Sequence, residues 1–304
     1  MRLRVVVTLT IASFGCSFSL AQIGVNTDTV AKSVVFLYSA INNQPDPTRP
    51  LGTGFFVQVP LLSNPRQAYT FLVTARHVVD PQWAGCPPHQ NSPLVFLRLN
   101  KKGWSEDQAS SGVVYERLEL GSNVSYSTDD SVDVAVIPIV FAITNYEAES
   151  IHVAEFADSS ITSAIGAGSQ VLSAGLLPAF PGIWRNYPVF KFGHVSSKPS
   201  ERIPVPCAPN EAPRWLRVWL LDASLVPGNS GAPIIQMPQI LSGEHAALLG
   251  LQSISFMGND VAGMTPVKYI YEVLEKLALK DADLRLPSQV QDAPKPTPPP
   301  NKPN

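Results

Sequence analysis

Three side chains spread far apart in this 304-residue chain are of types that together can move a proton and form a covalent bond: His77, Asp133 and Ser230. Histidine, with an ordinary pKa of about 6.5, takes and returns a proton near neutral pH, which suits a general base. His77 follows the apolar run in "FLVTARHVVD" (Phe71–Asp80), where a strand end would fix the ring and leave it open to a cleft. Asp133 stands between Val132 and Val134 in "YSTDDSVDVAVIPI". A carboxylate set among apolar residues needs a partner, because burying an unpaired charge is costly. An imidazole Nδ1–H is such a partner, and the carboxylate would then fix the tautomer and stabilise the imidazolium. Asp129 and Asp130, among Ser and Thr, read as turn residues instead.

Ser230 lies in Val226-Pro227-Gly228-Asn229-Ser230-Gly231. Proline presets φ near about −65° and glycine accepts positive φ at the next position, so Pro227-Gly228 favours a tight turn leading into the apolar run Pro233–Met237. That turn would project the Ser230 hydroxyl and aim the backbone N–H groups of Gly228 and Ser230 at one point, an oxyanion hole. In isolation the stretch reads as a Gly-rich hairpin with an incidental serine. Taken singly, His77, like His89, His152, His194 and His245, reads as a structural or surface residue. Only the set of three carries chemistry.

The elements that must position them are mostly strands. "SVVFLYSA" (Ser33–Ala40), "GTGFFVQV" (Gly52–Val59), "AYTFLVTA" (Ala68–Ala75), "PLVFLRLN" (Pro93–Asn100) and "VDVAVIPIV" (Val132–Val140) are short β-branched or aromatic runs bounded by turn residues. After a looser stretch, "SQVLSAGL" (Ser169–Leu176), "PVFKFGHVSS" (Pro188–Ser197), "RWLRVWLLDA" (Arg214–Ala223), "GAPIIQM" (Gly231–Met237) and "AALLGLQSISF" (Ala246–Phe256) form a second set. An all-β fold of two tandem β-barrels is the expectation. One long helix is expected over Thr265–Lys280, with Val267, Ile270, Tyr271, Leu274, Leu277 and Ala278 on one face and Pro266 in its first turn. The resulting units are 1–21 as a leader, 22–145 as the first barrel, 146–280 as the second barrel with its helix, and 281–304 as an extended, disordered Pro-rich tail.

The leader reading rests on Arg2 and Arg4, the apolar Val5–Phe14, and Ser19-Leu20-Ala21 as a small-x-small site that would leave Gln22 as the first mature residue. A secreted or periplasmic protein is implied. A lipid-modified Cys16 is the minor alternative, because Ser13-Phe14-Gly15 is a poor lead for it. In an oxidising compartment Cys86 and Cys207 could bridge, or remain two independent thiols. No later run is long enough for a membrane span. The net charge of −2, with no basic block, excludes an electrostatic footprint for nucleic acid.

"TARHV", "DVAVI" and "GNSGAP", in the order His, Asp, Ser, resemble the signatures of trypsin-like serine peptidases, whose fold is two six-stranded antiparallel barrels. "LLDASLVPGNSGAPI", "FADSSITSAIGAGSQVLSAGLLPAFPG", "FGHVSS" and "GMTPVKYIYEVLEKL" are similar to segments of the bacterial high-temperature-requirement branch, and the likeness runs over about Ser33–Leu279. It implies Ser230 as nucleophile, His77 as general base and then acid, Asp133 as orienting carboxylate, and hydrolysis of protein or peptide substrates through an acyl-enzyme without metal or organic cofactor. The spacings, 133 − 77 = 56 and 230 − 133 = 97 residues, suit His and Asp on the first barrel and Ser on the second. By the same alignment Ser224 floors the primary pocket and Gln252 to Ser255 line a wall. A neutral floor favours small or apolar side chains. Arg76, Ala232 and the lack of a C-terminal peptide-binding domain depart from the branch; Arg76 reads as a solvated charge, and the Ala232 methyl could crowd the oxyanion hole. A catalytically silent trypsin-fold binding protein is the rival reading. An α/β-hydrolase is not, since its acid and histidine follow the serine.

Overall fold

The computed structural model describes residues 26–80, 82–83, 94–108, 110–205, 213–226, 228–237, 246–256 and 260–291. The leader, Cys16, Cys86, Cys207, Pro227 and the last thirteen residues, 292–304, lie outside them. A short helix α1 (Thr27–Ser33), capped by the Asn26 side chain, feeds β1 (Val34–Ile41). Asn42 and Asn43 both take positive φ, a type I′ pattern whose twist matches the hairpin into β2 (Gln44–Pro60). There follow β3 (Ala68–Thr74), helix α2 (Arg76–Val79), β4 (Leu94–Asn100), β5 (Val113–Glu119), β6 (Ser125–Tyr126), β7 (Ala135–Pro138) and β8 (Ile151–His152). Hydrogen bonds run β5-β4-β1-β2-β3-β7-β6, and β8 adds to β2 in parallel.

After helix α3 (Ser159–Ala164) come β9 (Gln170–Gly175), β10 (Val189–Ser197), β11 (Ile203–Val205), β12 (Arg214–Leu216), β13 (Trp219–Asp222), β14 (Pro233–Gln236), β15 (Ala247–Ser255) and β16 (Val261–Pro266). Six of these close into a barrel, β10-β13-β16-β15-β14-β9, while β11 and β12 pair separately. The expected two-barrel, all-β architecture is therefore the fold. The second sheet closes by hydrogen bonds, and the first is a barrel-like sheet of eight strands among the described residues. The run Arg214–Ala223, expected as one strand, divides in two. Its middle leaves the sheet because the Arg217 backbone N–H bonds the Ser131 carbonyl at 2.8 Å and its guanidinium pairs with Asp129 at 2.9 Å.

The long helix α4 spans Val267–Lys276, shorter than expected at both ends. Thr265 and Pro266 stay in β16, where Pro266 acts as the N-cap, and Ala278 beyond the end has positive φ. Its buried face is Val267, Ile270, Val273 and Leu274, packed on β15, β16 and β7. Past it the chain does not leave the body at residue 281. Leu62 N–H bonds the Asp281 carbonyl at 2.8 Å, Ala282 bridges to Leu61, and helix α5 (Pro287–Gln291) is held by Ser288 N–H on the Asp158 carboxylate at 3.0 Å. No helix among the described residues is long and apolar enough to cross a membrane.

One apolar core joins the two halves, with Phe36, Phe55, Leu72 and Ile137 from the first and Leu172, Leu221, Ile234 and Leu251 from the second all fully buried. A polar tie crosses them as well. Arg98, in β4 and only 3% exposed, sends its guanidinium into the loop between β9 and β10. There it donates to the carbonyls of Pro181 (3.0 Å), Gly182 (2.8 Å), Ile183 (3.1 Å) and Arg185 (3.4 Å) and to Asn186 Oδ1 (2.8 Å). A planar fork of five N–H donors suits such a cluster of oxygens. Replacement by Met would leave those acceptors without partners, so Arg98→Met is expected to lower stability by roughly 3 kcal/mol, read from the urea unfolding midpoint.

Candidate active site

His77 is placed as its sequence context suggests. β3 is buried over its last four residues, Phe71 to Thr74, and Ala75 caps the one-turn helix α2 that carries the imidazole. Val78 and Val79 anchor that turn in the core, leaving the His77 side chain 28% exposed. Asp133, 1% exposed, lies between β6 and β7 with Val132 and Val134 fully buried on either side. Its Oδ2 meets His77 Nδ1 at 2.7 Å and its Oδ1 accepts the His77 backbone N–H at 3.1 Å. A carboxylate can only accept, so Nδ1 holds the ring proton and Nε2 is left with a lone pair to take another. Burial alone would push the imidazole pKa down, and the nearby Arg214 charge works the same way. The charge and hydrogen bond of Asp133 outweigh both, so the His77 pKa is raised above 6.5.

The Ser230 turn is held by Thr53, which lies outside the motifs, and by its own Asn229. Thr53, fully buried between Gly52 and Gly54 in β2, donates its backbone N–H to the Ser230 carbonyl at 2.8 Å and its hydroxyl to the Gly228 carbonyl at 2.7 Å. The same hydroxyl accepts the Leu176 N–H at 2.9 Å, and the Thr53 carbonyl accepts the Thr74 hydroxyl at 2.7 Å. Asn229, 1% exposed, accepts the Val226 N–H at 3.1 Å and donates to the Leu176 carbonyl at 2.9 Å. A small residue flanked by glycines just before an apolar run is the available signal for Thr53. Gly228 and Gly231 take φ of 97° and 86°, and a Cβ at Gly231 would strike the Thr53 carbonyl and the Thr74 hydroxyl, so glycine is required there.

These bonds bring the serine turn against the histidine turn. A Cβ at Gly52 would lie 2.9 Å from both the Ser230 carbonyl and a Val78 methyl, and one at Gly231 would lie 3.1 Å from the Ala75 nitrogen. Of the two groups expected to form the oxyanion hole, the Ser230 N–H bonds no acceptor among the described residues, and Gly228 carries the positive φ that the turn needs. The Ser230 hydroxyl likewise makes no hydrogen bond to His77 or to any other described residue. The Ala232 methyl is buried against Gly175, where a Cβ would come within 2.9 Å of it. It occupies space that a glycine in β9 leaves vacant.

The pocket residues separate. Gln252 is fully buried, donates to the Ser255 hydroxyl at 2.9 Å, and carries a buried Oε1 without a partner among the described residues. Ser224 is exposed and lines a cavity of about 390 Å³ with Phe192, His194, Asp222 and Asp260. Its hydroxyl donates to the Asp260 carboxylate, and Lys191 donates to its carbonyl at 2.6 Å. The expected neutral floor thus has charged neighbours of both signs. Arg76 is not a solvated charge. Its guanidinium lies 4.8 Å from the Trp83 ring centroid and 4.4 Å from that of Tyr126, with Asp80 and Asp130 each at 3.2 Å and its side chain 14% exposed. Arg214 covers Trp83 at 3.1 Å. Among the described residues no group of three or more His, Cys, Asp or Glu could hold a metal.

The sequence matches the family model of the trypsin-like peptidase domain over residues 52–239. No curated protein sequence matches it. Among solved structures, it is similar to the apo MamO protease domain from Magnetospirillum magneticum, with 16% identity, a TM-score of 0.49, and coverage of 80% of this chain and 96% of that one. It is also similar to the active form of the Rv3671c protease from M. tuberculosis, with 16% identity, a TM-score of 0.47, and coverage of 85% and 88%. The matched residues take in the whole span from the glycines around Thr53 to the strand after the serine turn, more than half of the chain, and on that match the protein belongs to the trypsin-like peptidase family.

Proposed function

We propose that the protein is a serine endopeptidase that cleaves polypeptides through an acyl-enzyme, with His77, Asp133 and Ser230 as its triad. The observation that carries this reading is the two-oxygen grip of Asp133 on His77, which leaves Nε2 as the free base. In the first half-reaction Ser230 Oγ attacks the scissile carbonyl carbon while His77 Nε2 takes its proton. The oxyanion that forms is met by the N–H groups of Gly228 and Ser230. The protonated His77 then gives its proton to the departing amine, and water, deprotonated by the same nitrogen, releases the acid product. Asp133 stays ionised and balances the imidazolium. The order of charged, apolar and small residues in the first 21 positions supports a secreted or periplasmic setting, and the likeness to the high-temperature-requirement branch rests on the sequence motifs. The cavity beside Ser224 carries the carboxylates of Asp222 and Asp260 beside apolar Phe192 and Met237. The floor residue itself is uncharged, and on that ground small or apolar side chains before the cut remain the expected preference.

A fluorophosphonate probe is expected to label the folded protein at Ser230, and neither Ser230→Ala nor His77→Ala should be labelled. A folded parent that resists the probe would turn the reading toward a silent binding protein. Because His77 must be neutral to act as base and its pKa is raised above 6.5, the acid limb of kcat/KM should lie above that value. Asp133→Asn removes the largest upward influence, so the limb should move to lower pH while kcat falls about ten-thousandfold; a pH–rate series on both forms measures this. Profiling a peptide library should return small or apolar residues before the cut, and dominance of Lys or Arg there would refute that preference.

A further inference from the structure

Five of the nine large apolar side chains exposed on the described surface fall between residues 180 and 192, which makes a patch rather than scatter. Phe180 is 62% exposed, Ile183 81% and Trp184 52%, all in the loop between β9 and β10. This loop is rigidly held. The Arg98 guanidinium bonds it from beneath, Asn186 and Asn100 exchange bonds of 2.7 and 3.3 Å, and Arg185 pairs with Glu147. The loop is also continuous with the reacting centre. A Cβ at Gly228 would lie 2.5 Å from Pro178, and the side-chain amide of Asn229 bonds the carbonyl of Leu176.

Resting on the peptidase reading above, we propose that Phe180, Ile183 and Trp184 form a docking ledge for an extended, apolar stretch of the substrate polypeptide lying to one side of the scissile bond. Continuity with the nucleophile turn favours this occupant. The only charged residue in the loop, Arg185, is already paired and so offers nothing to anionic headgroups, which disfavours a lipid surface. Rigid anchoring removes the ordering cost of binding, which is how a few exposed apolar side chains gain affinity.

Matched peptides sharing one scissile bond, with either Phe/Leu/Trp or Gly/Ser on one flank at a time, test the ledge. The parent, with rates counted per fluorophosphonate-titrated site, should prefer the apolar flank on one side by about tenfold or more, mainly in KM. In Phe180→Ser/Ile183→Ser/Trp184→Ser that ratio should collapse to within about twofold. A parent without such a preference, or a preference that survives the substitutions, overturns the proposal. Binding of the same peptides to Ser230→Ala, followed by tryptophan emission, separates docking from chemistry. Tighter binding of the apolar set, even where the parent cleaves nothing, upholds the ledge while the peptidase reading falls; equal binding of both sets removes the ledge while cleavage stands. Sedimentation with phosphatidylglycerol vesicles and by itself completes the test: vesicle binding or self-association that the triple substitution abolishes would assign the patch to lipid or to a second copy and overturn the proposal. Ile183→Ser alone carries the same comparisons should the triple variant fail to fold.

Discussion

A carboxylate with 1% of its surface exposed cannot keep its charge on water alone, and the surroundings of Asp133 follow from that constraint. Both of its oxygens are spoken for by one residue, through the ring nitrogen and the backbone nitrogen of His77. That double hold sets where helix α2 begins, how the ring is turned and which nitrogen is left open. Val132 and Val134 on either side of Asp133 keep water from the carboxylate, so the attraction acts in a medium where it is strong. The same pairing makes the imidazole more basic than its burial alone would allow, while Arg214 limits the rise.

The serine is held differently. Its turn contributes few side chains of its own to the interior, and its position is borrowed from Thr53 on a strand of the other half. One threonine touches the Ser230 carbonyl, the Gly228 carbonyl and the Leu176 nitrogen, so the serine turn, the start of the β9–β10 loop and the first sheet share one junction. Such close approach explains why glycines surround it: at Gly52, Gly175 and Gly231 a Cβ would collide with the residues that the junction brings together.

Much of this was legible beforehand, for identifiable reasons. His77, Asp133 and Ser230 each stand at a boundary between an apolar run and a turn, so their placement beside strand ends is visible in a single sequence. The long strands were visible because they are buried on one or both faces. β5, with Glu116, Arg117 and Glu119 on a half-exposed edge, carries no such signal, and neither do the two-residue β6 and β8. The break in Arg214–Ala223 is set by partners about ninety residues away, Ser131 and Asp129, which no local pattern discloses. Thr53 and Arg98 were hidden for the same reason. A threonine in a strand and an arginine in an apolar run look ordinary until their distant acceptors are known. Arg76 looked solvated because its ring partners, Trp83 and Tyr126, are not its helical neighbours.

The buried guanidinium of Arg98 has one more consequence. It belongs to a strand of the first half, whereas the carbonyls it gathers belong to a loop of the second, and Asn186 returns a bond to the Arg98 carbonyl. The loop is therefore no portable cassette. Transplanted into a relative without a cation at the matching strand position, its carbonyls would face an apolar wall; exchanged in the other direction, a foreign loop would strand an unpaired charge in the interior of this chain. The shape of this loop is thus inherited by two distant segments together, and any change to one is tolerated only in company with the other.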